Sequence, residues 1–162
     1  MSTYLLLKWL HILSSTVLFG TGLGIAFFKW ITDRSGVIKA IRVTNERAVL
    51  ADWIFTTPAV VLQPITGFAL VYVAGYPLFA NWIVVATILY LVAGACWLPV
   101  LWLQIRMRDI ARQSDDQNRT LPPFYWQLAR VWFWLGIPAF CALVVVFWLM
   151  VAKPDFLLRP FP

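Results

Sequence analysis

The stretch VWFWLGIPAFCALVVVFWLMVA, residues 131–152, decides the fold. Its 22 residues carry no charged side chain and are apolar on every side. A helix of that length reaches ~33 Å, and the hydrocarbon core of a bilayer is ~30 Å thick. Strict alternation over ~10 residues, the mark of a transmembrane β-strand, is missing. Lipid offers nothing to hydrogen-bond a peptide group, so a run of this kind must close its backbone bonds internally as a helix.

Three more runs of the same character precede it, about 4–31, 49–76 and 81–103. Across the chain 62% of residues are hydrophobic and 12% charged, against about half and about a quarter in soluble domains. A single core could not hide that much apolar surface, so the solvent is lipid. The expectation is an all-α integral membrane protein, an antiparallel four-helix bundle forming one transmembrane domain over 1–162, with the lipid bilayer as its first partner. The first run reads as a retained span, because no small-x-small cleavage pattern interrupts it.

Charge sets the orientation. Lys29 and the two long connections hold ten basic residues: Lys29, Arg34, Lys39, Arg42, Arg47, Arg106, Arg108, Arg112, Arg119 and Arg130. The rest of the chain holds three, Lys8, Lys153 and Arg159. The positive-inside rule places both long connections in the cytoplasm and both termini, with the uncharged turn 74–80, on the periplasmic or extracellular side. That is the pattern of a multi-pass protein of a bacterial inner membrane. A net charge of +6 on such a chain is no basic face on a soluble fold, which excludes nucleic acid as a partner. The apolar stripe of Val37, Ile38, Ile41 and Ala48 suits a helix lying at the interface before the second span. Gln104–Gln113 reads as the third helix emerging into water, and Pro122 and Pro123 as the first turn of the fourth. Trp9, Trp30, Trp53, Trp82, Trp126, Trp132 and Trp148 fall toward span ends, as an aromatic belt would.

His11 is the sole histidine, about two turns into the first helix. An ionisable group at that depth is costly and usually functional. The alternative is a histidine bonded to a neighbouring helix. Lys8 shares its face at i,i+3. On the second helix Gln63 and Thr66 lie near two prolines, Pro58 and Pro64, whose freed carbonyls need partners. Their depth brings them within reach of His11 if the helices tilt, and Tyr90 on the third helix reaches a comparable level. His11, Lys8, Gln63, Thr66 and Tyr90 are therefore the candidate cofactor-binding residues, with His11 as the metal ligand. Gly20 and Gly24 form a small-xxx-small pair suited to close helix packing. Asp52 is expected in an ion pair with Arg47 or an arginine of the long connection. Cys96 and Cys141 lie inside apolar runs and read as small packing residues. Several chemistries lack their parts: there is no second histidine, no Cys-x-x-Cys and no phosphate-cradling glycine loop.

The stretch Leu7-Lys8-Trp9-Leu10-His11-Ile12, followed by Gly20–Gly24, resembles the first helix of HemJ-type protoporphyrinogen oxidases. Copper-resistance CopD-like membrane proteins share a broadly similar helical arrangement. The whole chain more closely resembles the membrane family DUF2269, through FTTPAVVLQPITG (55–67), CWLPVLWLQIRMR (96–108) and PAFCALVVVFWLMVAKP (138–154). The HemJ resemblance implies a b-type haem with His11 as axial ligand. It also implies a lysine early in the third helix, and here Ile83, Val84, Val85 and Ala86 follow Trp82 instead.

Two functions follow. The first is a membrane protein that binds haem b through His11 and acts in redox or porphyrin chemistry. The second is a non-enzymatic membrane subunit that forms a homo-oligomer or stabilises a larger membrane complex. Copper handling is disfavoured, since Met1, Met107 and Met150 are scattered and soft sites want clustered sulfur.

Overall fold

The computed structural model describes residues 2–154. Met1 and Arg159, used above in the methionine and charge readings, lie outside the described residues. The chain runs as α1 (Thr3–Ser35), α2 (Ile38–Ala51), a π-helical turn (Asp52–Thr56), α3 (Thr57–Ala74), α4 (Asn81–Asp116) and α5 (Pro123–Ala152). Helix is unbroken from Ile38 to Ala74, so four helices are long and apolar enough to cross a membrane. They form the antiparallel membrane bundle that the apolar runs demand.

Local chemistry sets the ends. Ser2 caps α1, its hydroxyl accepting from the Leu5 amide at 3.4 Å. Gly36 and Gly75 end α1 and α3 in left-handed conformation, at φ 67° and 72°, where a Cβ would be strained. Pro122 is the cap of α5 and Pro123 its first residue, so the missing amide costs nothing. At the end of α5, Lys153 donates to the Tyr76 hydroxyl at 2.7 Å, tying that helix to the turn after α3.

Three helices outrun their apolar stretches. α1 continues to Ser35, α4 to Asp116, and α2 precedes α3 in line, because polar residues propagate a helix readily once packing has nucleated it. α2 was expected to lie along the interface; instead it runs straight into α3. Its apolar face, with Ile41, Asn45, Ala48 and Val49 buried, packs on α4. The π turn has a cause four residues downstream. Pro58 has no amide and its ring would clash with the carbonyl at position 54. One wider turn relieves this, and the Thr57 amide bonds back to the Asp52 carbonyl, five residues earlier.

Packing divides the bundle into two hairpins. α1 lies on α3, and α5 lies on α4. At the basic end, Ile41, Leu103, Met107, Ala111, Tyr125, Leu128 and Trp132 form one buried cluster. At the turn end, Val71, Trp82, Ile83, Ala86 and Leu149 form a second. Trp82 and Trp132 thus leave the expected belt: both are buried, because each plugs a place where two hairpins meet. Between the clusters the hairpins separate around an interior cavity of about 340 Å³.

Candidate functional site

His11 sits where α1 crosses α3. Its Nδ1 lies 2.8 Å from the Thr66 hydroxyl. That hydroxyl also donates to the Leu62 carbonyl at 2.7 Å. A threonine has one proton, so with it committed to Leu62 the oxygen accepts from Nδ1–H. In the neutral ring this arrangement leaves the lone pair on Nε2, for which no protein partner is found among the described residues. The ring lies against Gly67, where a Cβ would come 3.2 Å from His11 Cε1. Glycine at that position is what allows the approach.

Gln63 completes the arrangement. Its Nε2 donates to the His11 carbonyl at 2.9 Å and to the Ser14 hydroxyl at 2.7 Å. Gln63, Thr66 and Ser14 are all buried and His11 is half-buried. Thr66 therefore fixes the ring through one nitrogen, while Gln63 and Ser14 fix the backbone that carries it.

The other two candidates go elsewhere. Lys8 is exposed, with its ammonium 5.8 Å from the Tyr4 ring centroid. Tyr90 donates to the Val60 carbonyl at 2.6 Å. That carbonyl is the one Pro64 leaves without a helical partner, four residues on. Tyr90 repairs the proline's gap and lines the interior cavity, which does not include His11. Asp52 makes no ion pair among the described residues and is 3% exposed; Arg47 is exposed, and Arg112 of the long connection reaches Glu46 instead. The Gly20–Gly24 pair is not used for packing within the chain, since nothing lies within 4 Å of a Cβ at either position.

A second polar centre escaped the sequence reading. Lys29, fully buried, donates to Asp33 at 2.8 Å and to the Tyr125 hydroxyl at 3.0 Å. That hydroxyl donates to the other Asp33 oxygen at 2.7 Å and accepts from Asn45 Nδ2 at 2.9 Å. α1, α2 and α5 meet there. The i,i+4 spacing of Lys29 and Asp33 was the available signal. Tyr125 and Asn45, far along the chain, gave none.

Fold and site together define a four-span membrane protein with a fixed, singly engaged imidazole inside its apolar zone. The chain belongs to DUF2269, a family of predicted integral membrane proteins, whose profile matches residues 5–154. No curated protein and no solved structure matches the chain.

Proposed function

We propose that this membrane protein binds one b-type haem through His11 Nε2 and acts in redox or porphyrin chemistry. The observation that carries the reading is the pairing of Nδ1 with Thr66, which leaves Nε2 as a free donor atom. Metal-bound histidines are held in this way, with the second nitrogen bonded to an oriented acceptor. The donor set suits a macrocycle better than a bare ion. No group of three or more His, Cys, Asp or Glu occurs among the described residues, whereas a porphyrin brings four nitrogens and needs only an axial ligand. When bound, haem would supply one-electron chemistry at its iron. The chain's own part is to hold the imidazole through Thr66 and Gly67 and to keep water from it with apolar neighbours. His11 does not line the interior cavity, so that cavity would not be the macrocycle's seat.

The test is the oxidised and dithionite-reduced spectrum of protein made with haem supplied, in mild detergent. A Soret band with sharpened α and β bands on reduction, lost in His11→Ala, is the expected result. A colourless wild-type protein overturns the reading.

We further infer that the protein resides in a bacterial inner membrane with its basic end in the cytoplasm. The ten basic residues near that end support this orientation. With Cys96 and Cys141 replaced by serine, a membrane-impermeant maleimide added to whole cells should label Tyr76→Cys and spare Arg119→Cys. The reverse pattern overturns the assignment.

The unused Gly20–Gly24 face favours a second reading, a non-enzymatic subunit that docks another transmembrane helix. Gly20→Ile and Gly24→Ile should then shift the protein to smaller species on blue-native gels. Unchanged mobility counts against it.

A further inference from the structure

The cavity between the hairpins is polar at one end only. Its wall toward the turn end is made of Leu18, Phe19, Phe140 and Leu143, and Phe19 closes it by stacking on Phe140 with centroids 4.9 Å apart. Its wall toward the basic end carries Asp52, Thr56, Trp97 and Gln104. Thr56, Gln104 and Trp97 face the Asp52 carboxyl, yet Asp52 Oδ2, Thr56 Oγ1, Trp97 Nε1 and Gln104 Oε1 are each buried with no close hydrogen bond among the described residues. Asp52, Thr56 and Gln104 are 3%, 4% and 3% exposed. Native proteins leave few such atoms unmet, since burying one without a partner costs stability. A carboxyl with an amide and a hydroxyl oxygen beside it, gathered at one wall of one cavity with no cation among the described residues, marks a place that receives a hydrogen-bond donor from outside the chain.

The shape says where that group comes from. α1 and α5 make few contacts with each other. Leu23, Phe133 and Ile137 line the cavity and are also 49%, 46% and 40% exposed, so it opens sideways into the lipid. Gly22, Gly94 and Gly136 line it from three helices, each with nothing within 4 Å of a Cβ. The π turn carries Asp52 and Thr56 at its two ends, and π turns recur at functional sites. A volume of about 340 Å³ is in the range of small-molecule sites, which are apolar with a few placed polar groups.

We propose that this cavity binds a single-chain amphiphile with a cationic amine head, received from the bilayer between α1 and α5. The head sits at Asp52, Thr56 and Gln104, and the chain lies along the glycine-lined wall. Asp52 selects the charge. A carboxylate in an apolar interior demands a partner, and no cation among the described residues reaches it. The carbonyl of Gln104 and the hydroxyl of Thr56 accept the remaining ammonium protons. Trp97 adds an indole, the ring best suited to a neighbouring cation. The site is separate from the haem reading, because His11 takes no part in it.

The probe is dodecylamine, added to the purified protein in phosphatidylcholine nanodiscs and followed by native mass spectrometry and thermal shift. One equivalent should bind and raise the melting temperature. Dodecanoate, with the same chain and the opposite head, should bind at least about tenfold more weakly. Asp52→Asn should weaken dodecylamine by a similar factor, and Gly94→Leu, which fills the cavity where there is room for a side chain, should abolish binding. Gly94→Leu keeps the test valid if Asp52→Asn does not fold. Protein purified from native membrane separates two sources of the amine. A retained lysophosphatidylethanolamine displaced by dodecylamine assigns the site to a single-chain lipid; a bare protein that gains dodecylamine assigns it to a free amphiphile. Equal uptake by wild type and Gly94→Leu, or equal binding of the two head groups, overturns the proposal.

Discussion

At the residue scale, one hydroxyl proton decides the chemistry of His11. Thr66 gives its proton to Leu62 and receives one from Nδ1, which puts the imidazole lone pair on Nε2. Because the chain has one histidine, ¹⁵N-histidine labelling yields an unambiguous spectrum. It should show the neutral ring with its proton on Nδ1, and Thr66→Val should abolish that preference. A proton on Nε2 in the wild type would refute the assignment. Gly67→Ala places a methyl 3.2 Å from Cε1, inside the ~3.5–4.0 Å of carbon contact. It should cost about 1–3 kcal/mol of stability, as overpacking does, and displace the ring from Thr66. The expected loss is read from unfolding in mixed micelles and from the same histidine signals.

At the element scale, prolines shape the second span and other residues compensate for them. Pro58 coincides with the π turn, and Pro64 frees the Val60 carbonyl that Tyr90 takes up. The assignment predicts a coupling. Tyr90→Phe alone leaves a buried carbonyl unpaired and should cost about 1–3 kcal/mol. With Pro64→Ala present, the restored amide at position 64 returns the helical bond, and the same Tyr90→Phe change should cost less than half as much. A double-mutant cycle measures this directly. Strict additivity would mean that Tyr90 has no such role. Tyr90 was legible as a polar group at the right depth, but its partner was not, because a freed carbonyl can be met by any helix that passes it.

At the scale of the whole molecule, two hairpins are joined at their ends and apart in the middle. The basic-end joint is the Lys29–Asp33–Tyr125–Asn45 network. Lys29→Met removes the cation from a buried pair and leaves Asp33 uncompensated, a loss of about 3–5 kcal/mol. Adding Asp33→Asn removes the stranded charge, so the double variant should be more stable than Lys29→Met alone. Thermal unfolding monitored by helix content tests the order; a double variant less stable than the single one would show that the pair is not what joins α1 to α5. The cavity between the joints is a property of this arrangement. Neither hairpin contains it alone.

The sequence by itself determined the solvent, the number of spans and their alternation, because an apolar run in lipid has only one way to satisfy its backbone. It also marked His11, Gln63 and Thr66 as costly at their depth. It misplaced Asp52, since arginines near it in sequence point to other acids in space. It put Trp82 and Trp132 in a belt, since position along a span does not say which side a side chain faces. Only the tertiary structure decided that His11 meets Thr66, that Tyr90 mends the break at Pro64, and that Asp52, Thr56, Trp97 and Gln104 share one wall. The reason is physical: in an all-apolar helix hydrophobic periodicity is nearly lost, so rotation about the axis is set by side-chain packing and hydrogen bonds between helices.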